Sequence, residues 1–208
     1  MLTTNEHDSL ALPEWQVSTW INATAPITLQ SLRGRVVLLH TFQMLCPGCV
    51  AFGLPQAERV RQAFPESELA VVGLHTVFEH HDVMTVEALR AFVHEYRWSF
   101  PIGVDQPDGR GGPSLSMSRY GLRGTPSCLV LDHAGRVRLH HFGQIDDLVL
   151  GGLLGRLIVS QGASGQRDAT HRESPALGGD QATEGCGPAG CEISAAQRLR
   201  AVKQGSAL

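Results

Sequence analysis

Two cysteines set two residues apart, Cys46-Pro47-Gly48-Cys49, follow the apolar run Val36-Val37-Leu38-Leu39-His40-Thr41-Phe42 and precede a helix-like segment. No other feature constrains the chain as much. A nearly continuous apolar run of this length is the signature of a strand covered on both faces. Thiols at i and i+3 on the first turn of a helix approach closely enough to close a disulfide. The helix start adds unpaired N–H groups and a partial positive charge. Such an environment favours a thiolate, the reactive form of cysteine. The pattern therefore predicts a strand that delivers a dithiol redox centre to the start of a helix. Cys46 is the expected nucleophile, and Cys49 the more buried thiol that resolves a mixed disulfide on Cys46.

The rest of the chain narrows the classes it can belong to. Five cysteines in 208 residues are too few for a disulfide scaffold. They fall as a close pair at 46 and 49, a single Cys128, and a looser pair at 186 and 191. With a net charge of −3 and no basic cluster interleaved with aromatics, nucleic acid is not an expected partner. No run of about 18 apolar residues predicts a membrane span. The polar, acidic N-terminus lacks the basic start and apolar stretch of a signal peptide, which gives a cytoplasmic expectation.

Periodicity orders the elements. Residues 1–13 form a loose leader. A short strand is expected within Trp15–Ile21, a turn at Leu32-Arg33-Gly34-Arg35, and then the strand Val36–Phe42. The helix after Cys46 should run to about Phe64 with a kink or a break near Gly53 and Pro55. Leu69–Thr76 and Phe100–Asp105 are strand-like, and between them Val86, Leu89, Val93 and Tyr96 recur at helical spacing. A Gly-rich loop and a short helix at 114–120 precede Gly124-Thr125-Pro126, the strand Ser127–Leu131, a hairpin turn at Asp132–Gly135, and the strand Arg136–Phe142. A last helix should end near Ser160. This alternation predicts an α/β fold with a central mixed sheet flanked by helices over 14–160. Residues 161–208 contain no Phe, Trp or Tyr, so a flexible tail carrying Cys186 and Cys191 is expected there.

Taken together, Leu32–Leu39, Cys46–Cys49, Phe100-Pro101 and Gly124-Thr125-Pro126-Ser127 resemble the thioredoxin superfamily, specifically the TlpA/ResA-like redoxins. The resemblance implies a three-layer thioredoxin-like fold with the dithiol at the carboxyl end of a central strand. It implies a cis peptide bond before Pro126, facing the dithiol, with Thr125 holding a substrate strand beside Cys46. It also implies a thiol–disulfide oxidoreductase whose partners are a protein or small-molecule disulfide and an upstream thiol reductant, with no cofactor and no metal. The substrate groove would include Pro47 and Gly48. Departures are visible: Leu45 stands where Trp is usual, Phe52 where this branch often has Glu, and Pro55 one residue late.

His40, six residues before Cys46, falls where related proteins often bury Asp or Asn. A near-neutral imidazole there could take the Cys49 proton during exchange. The alternative is a core histidine satisfied by a backbone carbonyl. Cys128 should point the same way as Pro126, as a small buried hydrophobe. The pair Cys186/Cys191 is open between an incidental pair, metal capture and a redox relay to Cys46/Cys49; a linker of about 25 residues spans roughly 25–30 Å as a random coil. Scattered His75, His80, His81, His94, His133, His140 and His141 are expected on surfaces and loops. Two other functions compete: a peroxiredoxin-like thiol peroxidase, which would want Thr and Pro where Gln43 and Leu39 stand, and a non-enzymatic metal-binding module using the cysteine pairs.

Overall fold

A computed structural model describes residues 11–165; the remaining residues, with the leader's first ten positions and the Cys186/Cys191 pair, lie outside the described residues. In chain order the elements are β1 (Val17–Ile21), β2 (Val36–Phe42), α1 (Leu54–Ala63), β3 (Leu69–His75), α2 (Val86–Tyr96), β4 (Ile102–Asp105), α3 (Leu115–Arg119), β5 (Ser127–Leu131), β6 (Val137–Phe142) and α4 (Asp147–Gly165). A π-helical turn, Cys49–Gly53, leads into α1.

The six strands form one mixed sheet in the order β1-β4-β3-β2-β5-β6. β2 lies parallel to β3 and antiparallel to β5, so both its edges are hydrogen-bonded. All seven of its residues are buried, as its apolar run requires. Because side chains alternate on a strand, Val36, Leu38 and Phe42 enter one core with Leu54, Ala57 and Val60 of α1, Leu89 and Val93 of α2, and Leu150 and Leu154 of α4. Val37 and Leu39 enter the other, with Met117 of α3, Tyr120 just beyond it and the N-terminal Trp15, Leu29 and Leu32. The result is three layers, helix–sheet–helix. Gly34 turns the chain into β2 at φ +86°, where only glycine is unstrained.

Several boundaries differ from expectation. The expected kink is a π turn: the Leu54 N–H reaches back five residues to the Cys49 carbonyl. Pro55, lacking an N–H, sits at the start of α1 where no intrahelical donor is needed. β4 starts at Ile102 instead of Phe100, and Pro101 instead uses its carbonyl to accept the Gly73 N–H at 2.9 Å. The last helix continues past Ser160 to Gly165. Tyr96, taken as part of the apolar stripe of α2, is half exposed and stacks on Trp98 at 5.7 Å between ring centroids.

At Gly53 the helical segment passes close to the sheet. Its φ is ordinary (−67°), so conformation does not require glycine; space does. A Cβ there would collide with the His40 ring on β2 and come within 3.3 Å of Pro126 Cβ. Gly53→Ala should therefore cost about 1–3 kcal/mol by overpacking. In a His40→Ala background the same change should cost much less, a coupling that chemical denaturation of the four proteins of the cycle would measure.

Candidate active site

The dithiol sits where β2 ends and the helical segment begins. A turn closes over Gln43–Cys46, with the Cys46 N–H donating to the Gln43 carbonyl at 3.2 Å, and the first helical bond runs from Val50 N–H to the Cys46 carbonyl at 3.1 Å. Both cysteines are free thiols, with their Sγ atoms 2.7 Å apart. Cys46 is half-buried and Cys49 fully buried. The Cys49 N–H points at Cys46 Sγ (3.3 Å), a helix-start donor aimed at the outer sulfur.

β5 supplies the facing wall. The Thr125–Pro126 peptide bond is cis, and the Cys46 thiol lies 3.5 Å from the Thr125 carbonyl. Gly48 passes close to the proline ring; a Cβ there would lie 3.4 Å from Pro126 Cδ. Pro47 is exposed on the outer side of the turn. The rim is apolar: Leu45 and Phe52, the residues that replace the usual Trp and Glu, are each about half exposed.

Behind the dithiol a cleft of about 260 Å³ opens between the π turn and the loop after β6. It is lined by His40, Phe52, Gln56, Pro126, Cys128 and Asp147, among others. His40 and Cys128 are register partners across β2 and β5. Gln56, buried on α1, donates to the Ile145 carbonyl at 2.9 Å and to Asp147 Oδ1 at 2.6 Å. Arg59 adds a 2.9 Å ion pair with Asp147, but both partners are more than half exposed, a setting in which such pairs contribute little. Gln56 is therefore the stronger tie between α1 and the start of α4.

No family model matches the chain. A solved thioredoxin-like superfamily protein is 52% identical, with a TM-score of 0.70; the match covers 72% of this chain and 97% of that one. The chain belongs to the thioredoxin superfamily. A second solved structure, a thiol–disulfide isomerase from Corynebacterium glutamicum, is 49% identical with a TM-score of 0.68, covering 73% of this chain and 97% of that one. Protein DipZ of Mycobacterium bovis is 27% identical over 132 residues, 62% of this chain. The chain spans only 18% of the length of that curated relative. The fold of this thioredoxin-superfamily chain is thus of the thiol–disulfide oxidoreductase type.

Electrostatics separates the buried groups of this redoxin. Burial pushes the Cys49 thiol up to about 12, and the neighbouring Cys46 sulfur adds to the rise; the Gln43 backbone N–H and the Thr125 side chain pull the other way. Burial lowers His40 to about 4, so the near-neutral titration expected for it is not what its surroundings allow. Its Nε2 is buried and has no hydrogen-bond partner, which also removes the alternative of a histidine satisfied through that atom. His75 is likewise lowered to about 4 by burial; it packs against Phe42 with ring centroids 5.3 Å apart. Among the described residues no three His, Cys, Asp or Glu side chains converge as a metal site would need, and no helix is long and apolar enough to cross a membrane.

Sequence reasoning brought together Cys46, Cys49, Thr125, Pro126, Gly48 and His40, and the structure places them at one end of β2 and β5. It missed Gln56 and Asp147, which close the cleft, and it read Gly53 as a helix break instead of a point of close approach. Nothing in local spacing links residues 56 and 147; they meet only through the sheet.

Cys128 is also pushed up to about 12 by burial, against an ordinary 9.0. Below pH 9 both folded and unfolded chains keep this proton. Between pH 9 and 12 only the unfolded chain releases it, so the thiol's contribution to stability is lost as pH rises. The reduced Cys128→Ala protein should show an alkaline decline in unfolding free energy shallower by about 1.4 kcal/mol per pH unit. Denaturant titrations across that window check the slope, and parallel curves would contradict it.

Proposed function

We propose that this chain is a dithiol–disulfide exchange enzyme that reduces disulfides of proteins or small molecules. The observation that carries the proposal is the pair of free thiols 2.7 Å apart, one reachable and one buried, beneath the cis Thr125–Pro126 bond. Cys46 thiolate attacks a substrate disulfide, forming a Cys46–substrate mixed disulfide and releasing the first substrate thiolate. Cys49 then loses its proton and attacks Cys46 Sγ. The second substrate thiolate leaves, and the Cys46–Cys49 disulfide holds the two electrons' worth of oxidation. An upstream thiol reductant restores the dithiol. In a reducing compartment this direction is favoured, and the cytoplasmic expectation belongs to the same proposal. The apolar rim of Leu45 and Phe52 suits a substrate segment with apolar residues beside its cysteine.

Buried Cys49 needs somewhere to send its proton, and His40 is the nearest reading of that need. His40 lies on the same face of the sheet as Cys49, beneath Gly53. At neutral pH it is uncharged, with an unpartnered Nε2. A buried neutral imidazole is a weak base until negative charge develops on its side of the sheet; a forming Cys49 thiolate would supply that charge. The cleft then gives the proton an exit to water.

Two measurements test these steps. Cys49→Ser should accumulate a stable mixed disulfide on Cys46 with its substrate, seen as a mass increment that thiols remove. If wild-type protein reduces no disulfide and this variant traps none, the exchange function is wrong. His40→Ala should slow resolution by Cys49 near pH 7 by about ten- to a hundredfold, the lower range of general-base effects, while changing the first attack by Cys46 much less. Equal resolution rates in wild type and variant would remove His40 from the mechanism.

A further inference from the structure

Gln43 is buried at the exit of β2, yet its side-chain amide is hydrogen-bonded through both its oxygen and its nitrogen. The last rung of the β2–β3 pairing is the Thr76 N–H donating to the Phe42 carbonyl at 3.0 Å. Beyond it the backbones separate, and the Gln43 carboxamide spans the gap. Its Oε1 accepts the Phe78 N–H at 3.1 Å, and its Nε2 donates to Glu79 Oε1 at 3.3 Å. The amide thus acts as one more rung, with an acceptor and a donor in fixed orientation.

The backbone of the same residue serves the dithiol. Its carbonyl accepts the Cys46 N–H at 3.2 Å and so closes the turn that carries the outer thiol. The residue that closes the Cys46 turn therefore has its side chain clamped to the loop after β3. Rotation of an unclamped residue 43 would swing its carbonyl away from the Cys46 N–H and loosen the turn that presents Cys46 to Cys49.

We propose that Gln43 is a positioning residue through which the loop at Phe78 and Glu79 sets the reactivity of the Cys46/Cys49 pair. The inference rests on reading that pair as the exchange centre. It makes Glu79, an exposed residue on a different strand's loop, a remote contributor to the resolving step. The polar clamp, and not the volume at position 43, is what matters: a hydrophobe of similar size would fill the site and leave the residue's carbonyl free to turn.

The test uses the full chain and a preformed mixed disulfide between Cys46 and glutathione, with two readouts: the rate at which Cys49 releases glutathione, and the equilibrium constant of the dithiol/disulfide couple in glutathione buffers. Gln43→Met keeps the volume and removes both bonds. It should slow release by about tenfold and shift the equilibrium constant several-fold, the scale of one to two net hydrogen bonds. Gln43→Glu keeps the acceptor for Phe78 N–H but sets a carboxylate against Glu79, and should be slowed at least as much. Adding Glu79→Gln restores a donor opposite the new carboxylate, so Gln43→Glu/Glu79→Gln should recover release to within about threefold of wild type. A loss of packing alone would not be rescued by that exchange of partners. Wild-type release and potential in Gln43→Met, or no recovery in the double variant, would overturn the inference while leaving the exchange function standing. A wild-type chain that exchanges no disulfide would instead remove the reading on which it rests.

Discussion

Everything at the dithiol depends on β2 being hydrogen-bonded on both edges and covered on both faces. Parallel pairing with β3 and antiparallel pairing with β5 hold its carboxyl end in a fixed place. The dithiol turn grows directly from that end, and Pro126 arrives beside it at the head of β5. Two cores, one on each face, lock the strand's alternating side chains. Apolar burial of this kind contributes about 1.5–3 kcal/mol per large side chain, so the frame is stiff compared with the few hydrogen bonds that adjust the sulfurs.

The site divides into an outer half open to solvent and an inner half hidden from it. Cys46, Thr125 and the exposed Leu45 and Phe52 face outward. Cys49, His40 and Cys128 sit inside, where burial drives the thiols up and the imidazole down. Each inner group is thereby held uncharged at neutral pH. The proposed exchange would require a transient charge in a place that resists it, and the cleft lined by His40, Gln56 and Asp147 adjoins that inner half. Gln43 sits on the other side, its side chain bonded to the loop after β3 and its carbonyl closing the Cys46 turn.

Much of this was legible in the residue order. The run Val36–Phe42, the Cys46/Cys49 spacing and Gly124-Thr125-Pro126 foretold the central strand, the dithiol and the facing proline, because each is a short-range pattern with one good structural solution. The turn at Gly34 and the helix of Leu89 and Val93 followed for the same reason. Less was legible around Gly53: glycine and proline close together signalled a break, and the fold instead inserts a π turn so that the helix can approach His40. The titration of His40 was misjudged because spacing along the chain says nothing about how completely a side chain loses water. Gln43 was noticed only as a residue unlike that of a peroxidase; its partners Phe78 and Glu79 lie some 35 positions away in sequence.

Local order thus determined which elements form and which two sulfurs can meet, since strand period, helix turn and Cys-x-x-Cys spacing act over a few bonds. Folding in three dimensions decided the chemistry those sulfurs experience. Desolvation, an unpartnered imidazole, a cleft closed from α1 to α4 and a carboxamide bridging two strand ends are sums over distant segments. Two thiols three residues apart are a property of the chain. One of them exposed enough to attack, and the other buried enough to need help, is a property of what packs around them.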